Sequence, residues 1–125
     1  MASSVPKLGQ AVLVVEDEEI LRKLAVEFFE DAGFEAIEAE SADEAVQILE
    51  RRMDIRIVFT DIDMPGSLDG IKLAACIRDR WPPIEIILTS GQYAPKSHEL
   101  PSRAIFIPKP YQVTKVVEVL QEMAR

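Results

Sequence analysis

The chain has 125 residues and a formal net charge of −8, with 48% apolar and 29% charged residues. That length suits one domain, and the acidic balance argues against nucleic acid or an anionic membrane as a direct partner, because phosphates are repelled. Met1–Gln10 lacks an apolar signal core and no apolar run approaches the roughly 20 residues of a membrane span, so a cytoplasmic location is expected.

Residues 1–10 read as a flexible lead and 11–125 as one folded unit. Ala11 to Val15 is a fully apolar run without alternation, the pattern of a buried strand, and it ends in Glu16-Asp17. Ile20, Leu21, Leu24, Ala25, Phe28 and Phe29 then recur at three- and four-residue spacing. They predict an amphipathic helix that Gly33 terminates, with Glu19, Arg22, Lys23, Glu27 and Glu30 on a solvated face.

Phe34 to Ala39 predicts a second strand. Ser41 is placed to cap a helix whose apolar face is Ala42, Ala45, Val46 and Leu49, and Glu44 three residues later fits a capping box. Ile55 to Thr60 is a third strand ending in Asp61. Asp69-Gly70 opens a helix carrying Leu73, Ala74 and Ile77, which Trp81-Pro82-Pro83 stops.

Ile84 to Thr89 and Ala104 to Pro108 are the fourth and fifth strands, ending at Thr89-Ser90 and Lys109. Between them Pro95 and Pro101 leave room for about one helical turn, starting with Pro95 in its first position. Val113, Val116, Val117 and Leu120 predict a C-terminal helix. The single cysteine, Cys76, reads as a reduced helix thiol and the single histidine, His98, as a solvated loop residue; neither has a partner for a disulfide or zinc site.

This alternation predicts an α/β fold: a doubly wound, five-stranded parallel sheet of flavodoxin-like order 2-1-3-4-5, with the helix between the fourth and fifth strands short or absent. All four polar strand endings then meet on one edge. Glu16, Asp17 and Asp61 in one crevice repel each other and attract a cation, and Mg2+ suits all-oxygen ligands: Asp17 and Asp61 directly, Glu16 through water. With that ion, Asp61 is positioned as a nucleophile for phosphoryl transfer, Thr89 as a hydrogen-bond donor to the phosphoryl group and Lys109 as its counter-charge. Each residue alone has an ordinary structural explanation, such as helix-dipole acids or a surface lysine. Their shared placement singles out the set.

Val14-Val15-Glu16-Asp17-Glu18, Asp61-Ile62-Asp63-Met64-Pro65, Leu68-Asp69-Gly70, Leu88-Thr89-Ser90 and Pro108-Lys109-Pro110-Tyr111 occur in the order found in receiver domains of two-component response regulators. The chain strongly resembles that family from about Gln10 to Arg125. The resemblance implies that Asp61 accepts a phosphoryl group from a sensor histidine kinase or histidine phosphotransfer protein and signals to a downstream protein target. It implies Mg2+ on Asp17, Asp61 and the backbone carbonyl of Asp63, with Glu16 as outer-shell support. Thr89 and Phe106 take the switch positions, and the Lys109–Pro110 bond is implied to be cis. The domain would be a phosphoacceptor that catalyses its own phosphoryl transfer, and not a conventional enzyme.

Three departures stand out. Glu16 replaces the commoner aspartate, the Asp61–Gly70 loop is one residue longer through Gly66-Ser67, and the fourth family helix is curtailed. Phe106 also lacks the hydroxyl of the usual tyrosine. Two rival readings are a haloacid dehalogenase-type phosphatase, which Asp61-Ile62-Asp63, Thr89 and Lys109 also resemble, and a receiver-like interaction module that does not use phosphate. The phosphatase pattern needs an acidic metal motif after the lysine, whereas the acidic pair here precedes Asp61. Met1 and the end at residue 125 favour a stand-alone regulator over part of a larger protein.

Overall fold

The computed structural model describes residues 10–65 and 68–124. Five strands alternate with four helices: β1 Gln10–Val15, α1 Glu19–Asp31, β2 Phe34–Ala39, α2 Ala42–Arg51, β3 Ile57–Asp61, α3 Gly70–Arg80, β4 Glu85–Ser90, β5 Ala104–Pro108 and α4 Val113–Met123. The sheet is parallel throughout, in the order β2-β1-β3-β4-β5, as expected. No helix among the described residues is long and apolar enough to cross a membrane. Gln10, read as part of the lead, opens β1; residues 1–9 of the lead and the Gly66-Ser67 insertion lie outside the described residues.

Alternation along the central strands builds two apolar layers. Leu13, Val15, Val58, Ile86 and Leu88 face α2 and α3, packing on Ala45, Leu49, Leu73 and Ile77. Val12, Val14, Ile57, Phe59 and Ile87 face α1 and α4, packing on Ala25, Phe29, Val116 and Leu120. Because both faces are covered, the inner strands need apolar residues at successive positions, which explains their unbroken apolar runs.

Local signals set most boundaries. Gly33, at φ 100°, takes the left-handed conformation that ends α1. Ser41 Oγ accepts the Glu44 N–H at 3.1 Å, while the Glu44 carboxylate accepts from Glu40 N and not from Ser41 N, so the capping box is displaced by one residue. Asp69 caps α3 by accepting the Lys72 N–H. Between β4 and β5 there is only one turn of 3-10 helix, Ser97–Glu99; Pro95 precedes its cap residue, Lys96, so the turn begins later than expected.

The orientation of α1 corrects the sequence reading. Arg22, assigned to the solvated face, is buried with Ala25 and Phe29, whereas Ile20, Leu21, Leu24 and Phe28 are 76, 39, 44 and 38% exposed. The guanidinium fits inside because it is paired: Nε donates to Glu38 Oε1 on β2 and Nη1 to the Glu16 carbonyl, each at 2.9 Å. A buried cation with those partners costs far less than a bare one.

Glu38 accepts hydrogen bonds from Lys23 and Arg22, which hold its carboxyl below the ordinary 4.5. A depressed folded-state pKa means that ionised Glu38 favours the fold above the unfolded-state value, and that this contribution fades as pH falls through the depressed value. Glu38→Gln is therefore expected to flatten the decline of the urea midpoint below about pH 5, where unfolded-state glutamate begins to protonate. At neutral pH, Arg22→Ala is expected to cost about 1–3 kcal/mol in the same assay.

Candidate functional site

The β-strand register assembles the site. Val15 lies opposite Thr60 and Asp61 opposite Thr89, so the ends of β1, β3 and β4 come level. Lys109 N donates to the Ser90 carbonyl and brings the end of β5 to the same edge. Glu16, Asp17 and Asp61 each place a carboxylate oxygen within 4.8 Å of the others. Glu16 and Asp61 are buried, Asp17 exposed.

Lys109 joins this acidic group from β5. Its Nζ stands 3.2 Å from Asp61 Oδ2 and 3.5 Å from Glu16 Oε1. Burial pushes the Glu16 carboxyl up to about 7, with the Asp61 charge adding to the rise, while the Glu18 N–H and Lys109 oppose it. Burial draws the Lys109 ammonium down, but Asp61 and Glu16 outweigh it and its pKa rises overall. Lysine therefore stays charged between two acids at neutral pH.

The donor set suits a small hard cation. Three carboxylates converge, and Glu16 already has both oxygens engaged: Oε2 accepts the Glu18 N–H at 3.0 Å, and Oε1 faces Lys109. Asp61 Oδ1 accepts the Asp63 N–H at 3.1 Å. Thr89 Oγ1 is fully buried without a hydrogen-bond partner, an orphaned hydroxyl on the strand beside Asp61. Buried polar atoms are rarely left so, and an oxygen-rich group seated against Asp61 would satisfy it.

Other sequence-assigned residues divide clearly. The Lys109–Pro110 peptide is cis. Phe106 on β5 is half-buried and packs against the layer facing α2 and α3. The Asp63 carboxylate accepts the Ser90 hydroxyl at 2.5 Å, a link the sequence reading missed because it placed Ser90 only at the end of the fourth strand. Arg22 was missed as well, although its spacing of three and seven residues from Ala25 and Phe29 placed it on their face.

Gly70 matters because α3 starts against the backbone of Asp61. A methyl group there would sit 2.6 Å from Ile62 Cα and closer still to the Asp61 carbonyl oxygen. At Gly91 the nearest atom to such a methyl is Lys109 Cβ, at 3.7 Å. Gly70→Ala is expected to lose about 2–3 kcal/mol in urea denaturation, as overpacking does, whereas Gly91→Ala should stay within about 0.5 kcal/mol of wild type.

Comparison with known proteins gives the same picture. The family model for the response regulator receiver domain matches residues 12–121. The chain is 35% identical over 117 residues to the sensor kinase CckA of Brucella abortus, covering 90% of this chain and 12% of that protein. It is 31% identical over 122 residues to the nitrogen assimilation regulatory protein NtrX of Azorhizobium caulinodans, covering 91% of this chain and 26% of that protein. The chain thus spans about a quarter or less of these two relatives. A response regulator receiver protein from Sinorhizobium medicae superposes with a TM-score of 0.86 at 25% identity, over 93% of this chain and 94% of that one. On this match, and on the ordered acids, threonine and lysine at one sheet edge, the chain belongs to the response regulator receiver domain family.

Proposed function

We propose that Asp61 accepts a phosphoryl group from a phosphohistidine donor, either a sensor histidine kinase or a histidine phosphotransfer protein. The supporting observation is the Asp61 carboxylate itself: buried, 3.2 Å from the Lys109 ammonium and grouped with Glu16 and Asp17. An Asp61 oxygen attacks phosphorus, the donor P–N bond breaks, and its electron pair leaves with the imidazole nitrogen. Lys109 pairs with a phosphoryl oxygen, and Thr89 uses its free hydroxyl to donate to another.

Asp17, Asp61 and the Asp63 carbonyl would hold Mg2+, with Glu16 behind them; when bound, the ion neutralises the charge gathering on the phosphoryl oxygens. Glu16 suits the outer position because both its oxygens are committed to Glu18 and Lys109. The acidic cluster draws on the pair before Asp61, an order opposite to that of haloacid dehalogenase-type phosphatases. The reaction is one turnover: acceptance of the phosphoryl group shifts an equilibrium between existing conformations, and later hydrolysis reverses it.

The donor protein docks on the exposed side of α1. Ile20, Leu24 and Phe28 recur every four residues and form an exposed apolar strip along α1, the helix that follows Glu16 and Asp17. Leu21 continues it into a cleft of about 430 Å³ shared with Glu16, Gly91, Lys109, Pro110 and Tyr111. Such a surface, next to a reactive group, suits the apolar face of a partner helix.

Incubation with magnesium and a small phosphodonor is expected to add one phosphoryl group by intact mass to wild type and none to Asp61→Asn. Asp17→Asn should weaken magnesium binding at least about tenfold in a fluorescence or calorimetric titration. A wild-type chain that neither binds magnesium nor gains the adduct would sink the assignment. Leu24→Asp is expected to slow transfer from a phosphorylated histidine protein by about tenfold or more, because a charge replaces an apolar anchor, while phosphorylation by the small donor is unchanged.

A further inference from the structure

The segment between β4 and β5 is held in an unusual way. Gln92, Tyr93, Ala94, Lys96, Ser97 and His98 are exposed, so little apolar burial fixes their path. Hydrogen bonds do so instead. The hydroxyl of Ser90, itself 2% exposed, accepts the backbone N–H groups of Gln92 and Tyr93 at 3.1 and 2.8 Å and donates to Asp63 Oδ2 at 2.5 Å. One donor and two acceptor positions are all a serine hydroxyl has, so this one is saturated.

The bonding continues in both directions. Beyond Ser90, the Tyr93 hydroxyl donates to Glu99 Oε2, and Glu99 Oε1 accepts the N–H of Lys96, closing the 3-10 turn. Towards the site, Asp63 N donates to Asp61 Oδ1. Among the described residues, Ser90–Asp63 is the one side-chain hydrogen bond that joins the Asp61–Pro65 loop to residues 90–100.

From this geometry we infer that Ser90 is a positioning residue that carries the state of the Asp61 site into the 91–100 segment through Asp63, making that segment the element that responds. The inference rests on the phosphoacceptor reading of Asp61. Asp63 has two roles: its main chain borders the site, and its carboxylate anchors the turn. A group seated against Asp61 and the Asp63 backbone shifts the Asp63 side chain, and Ser90 must then reorient or release Gln92 and Tyr93. Apart from Leu100, which packs against the core, the segment has few apolar anchors, and such a segment lies at the low-stability end of the fold, where one altered hydrogen bond changes its population. Phe106, packed against the core without a hydroxyl, offers no comparable bond.

Amide hydrogen exchange tests this, read at residues 92–100 with and without magnesium plus beryllofluoride, a phosphoryl mimic. Site loading is measured separately by fluorine NMR. Wild type is expected to change exchange in this segment about fivefold or more on loading. Ser90→Ala should load to the same extent and lose most of that change, and Ser90→Thr, which keeps a hydroxyl, should retain it. A Ser90→Ala response of wild-type size overturns the relay. So does a Ser90→Ala chain that cannot load, since the hydroxyl would then belong to the acceptor chemistry. Failure of wild type to load counts against the phosphoacceptor reading instead, whereas loading with unchanged exchange overturns only the relay.

Discussion

The Lys109 ammonium between Asp61 and Glu16 is the interaction on which the rest of the site depends. Two carboxylates almost removed from water, at the ends of adjacent strands, would each be strongly destabilised by burial and by the other's charge. Lys109 lies within 3.5 Å of both and offsets part of that cost. Its delivery requires β5 to pair with β4 in parallel register, so that Ser90 can accept from Lys109 N. The close approach of α3 at Gly70 then fixes the backbone that carries Asp61.

Helix α1 shows how one paired charge redirects a surface. Arg22 bonds to the Glu16 carbonyl and to Glu38, which ties the turn after β1 to β2 and supports the acidic pair from behind. Having turned Arg22 inward, the helix leaves Ile20, Leu24 and Phe28 outside. An exposed apolar strip costs solubility, and its continuation through Leu21 into the cleft lined by Glu16 and Lys109 supports its reading as a docking surface.

The opposite flank follows a different logic. A packed helix between β4 and β5 would bury apolar side chains and resist local change, whereas one 3-10 turn secured by Ser90, Tyr93 and Glu99 depends on a few polar contacts. The proposed phosphoacceptor chemistry draws on no side chain of that segment. Its polar anchoring runs through Ser90, which ties it to Asp63.

The parallel fold and the set Glu16, Asp17, Asp61, Thr89 and Lys109 were legible because unbroken apolar runs mark strands buried on both faces, and each run ends in a polar residue that register alone brings to one edge. The Ser41 cap and the start of a helix at Asp69-Gly70 were legible for a similar reason, since they act within four residues. Arg22, the displaced Glu44 bond and the Ser90–Asp63 link were not, because each depends on a partner supplied by another segment. By itself, the sequence determined which elements form, their order and the chemical groups at their ends, since these follow from local spacing and polarity. Only the tertiary structure decided which face of α1 is buried, how Lys109 is shared and how Ser90 joins Asp63, because those outcomes depend on pairing between groups far apart in the chain.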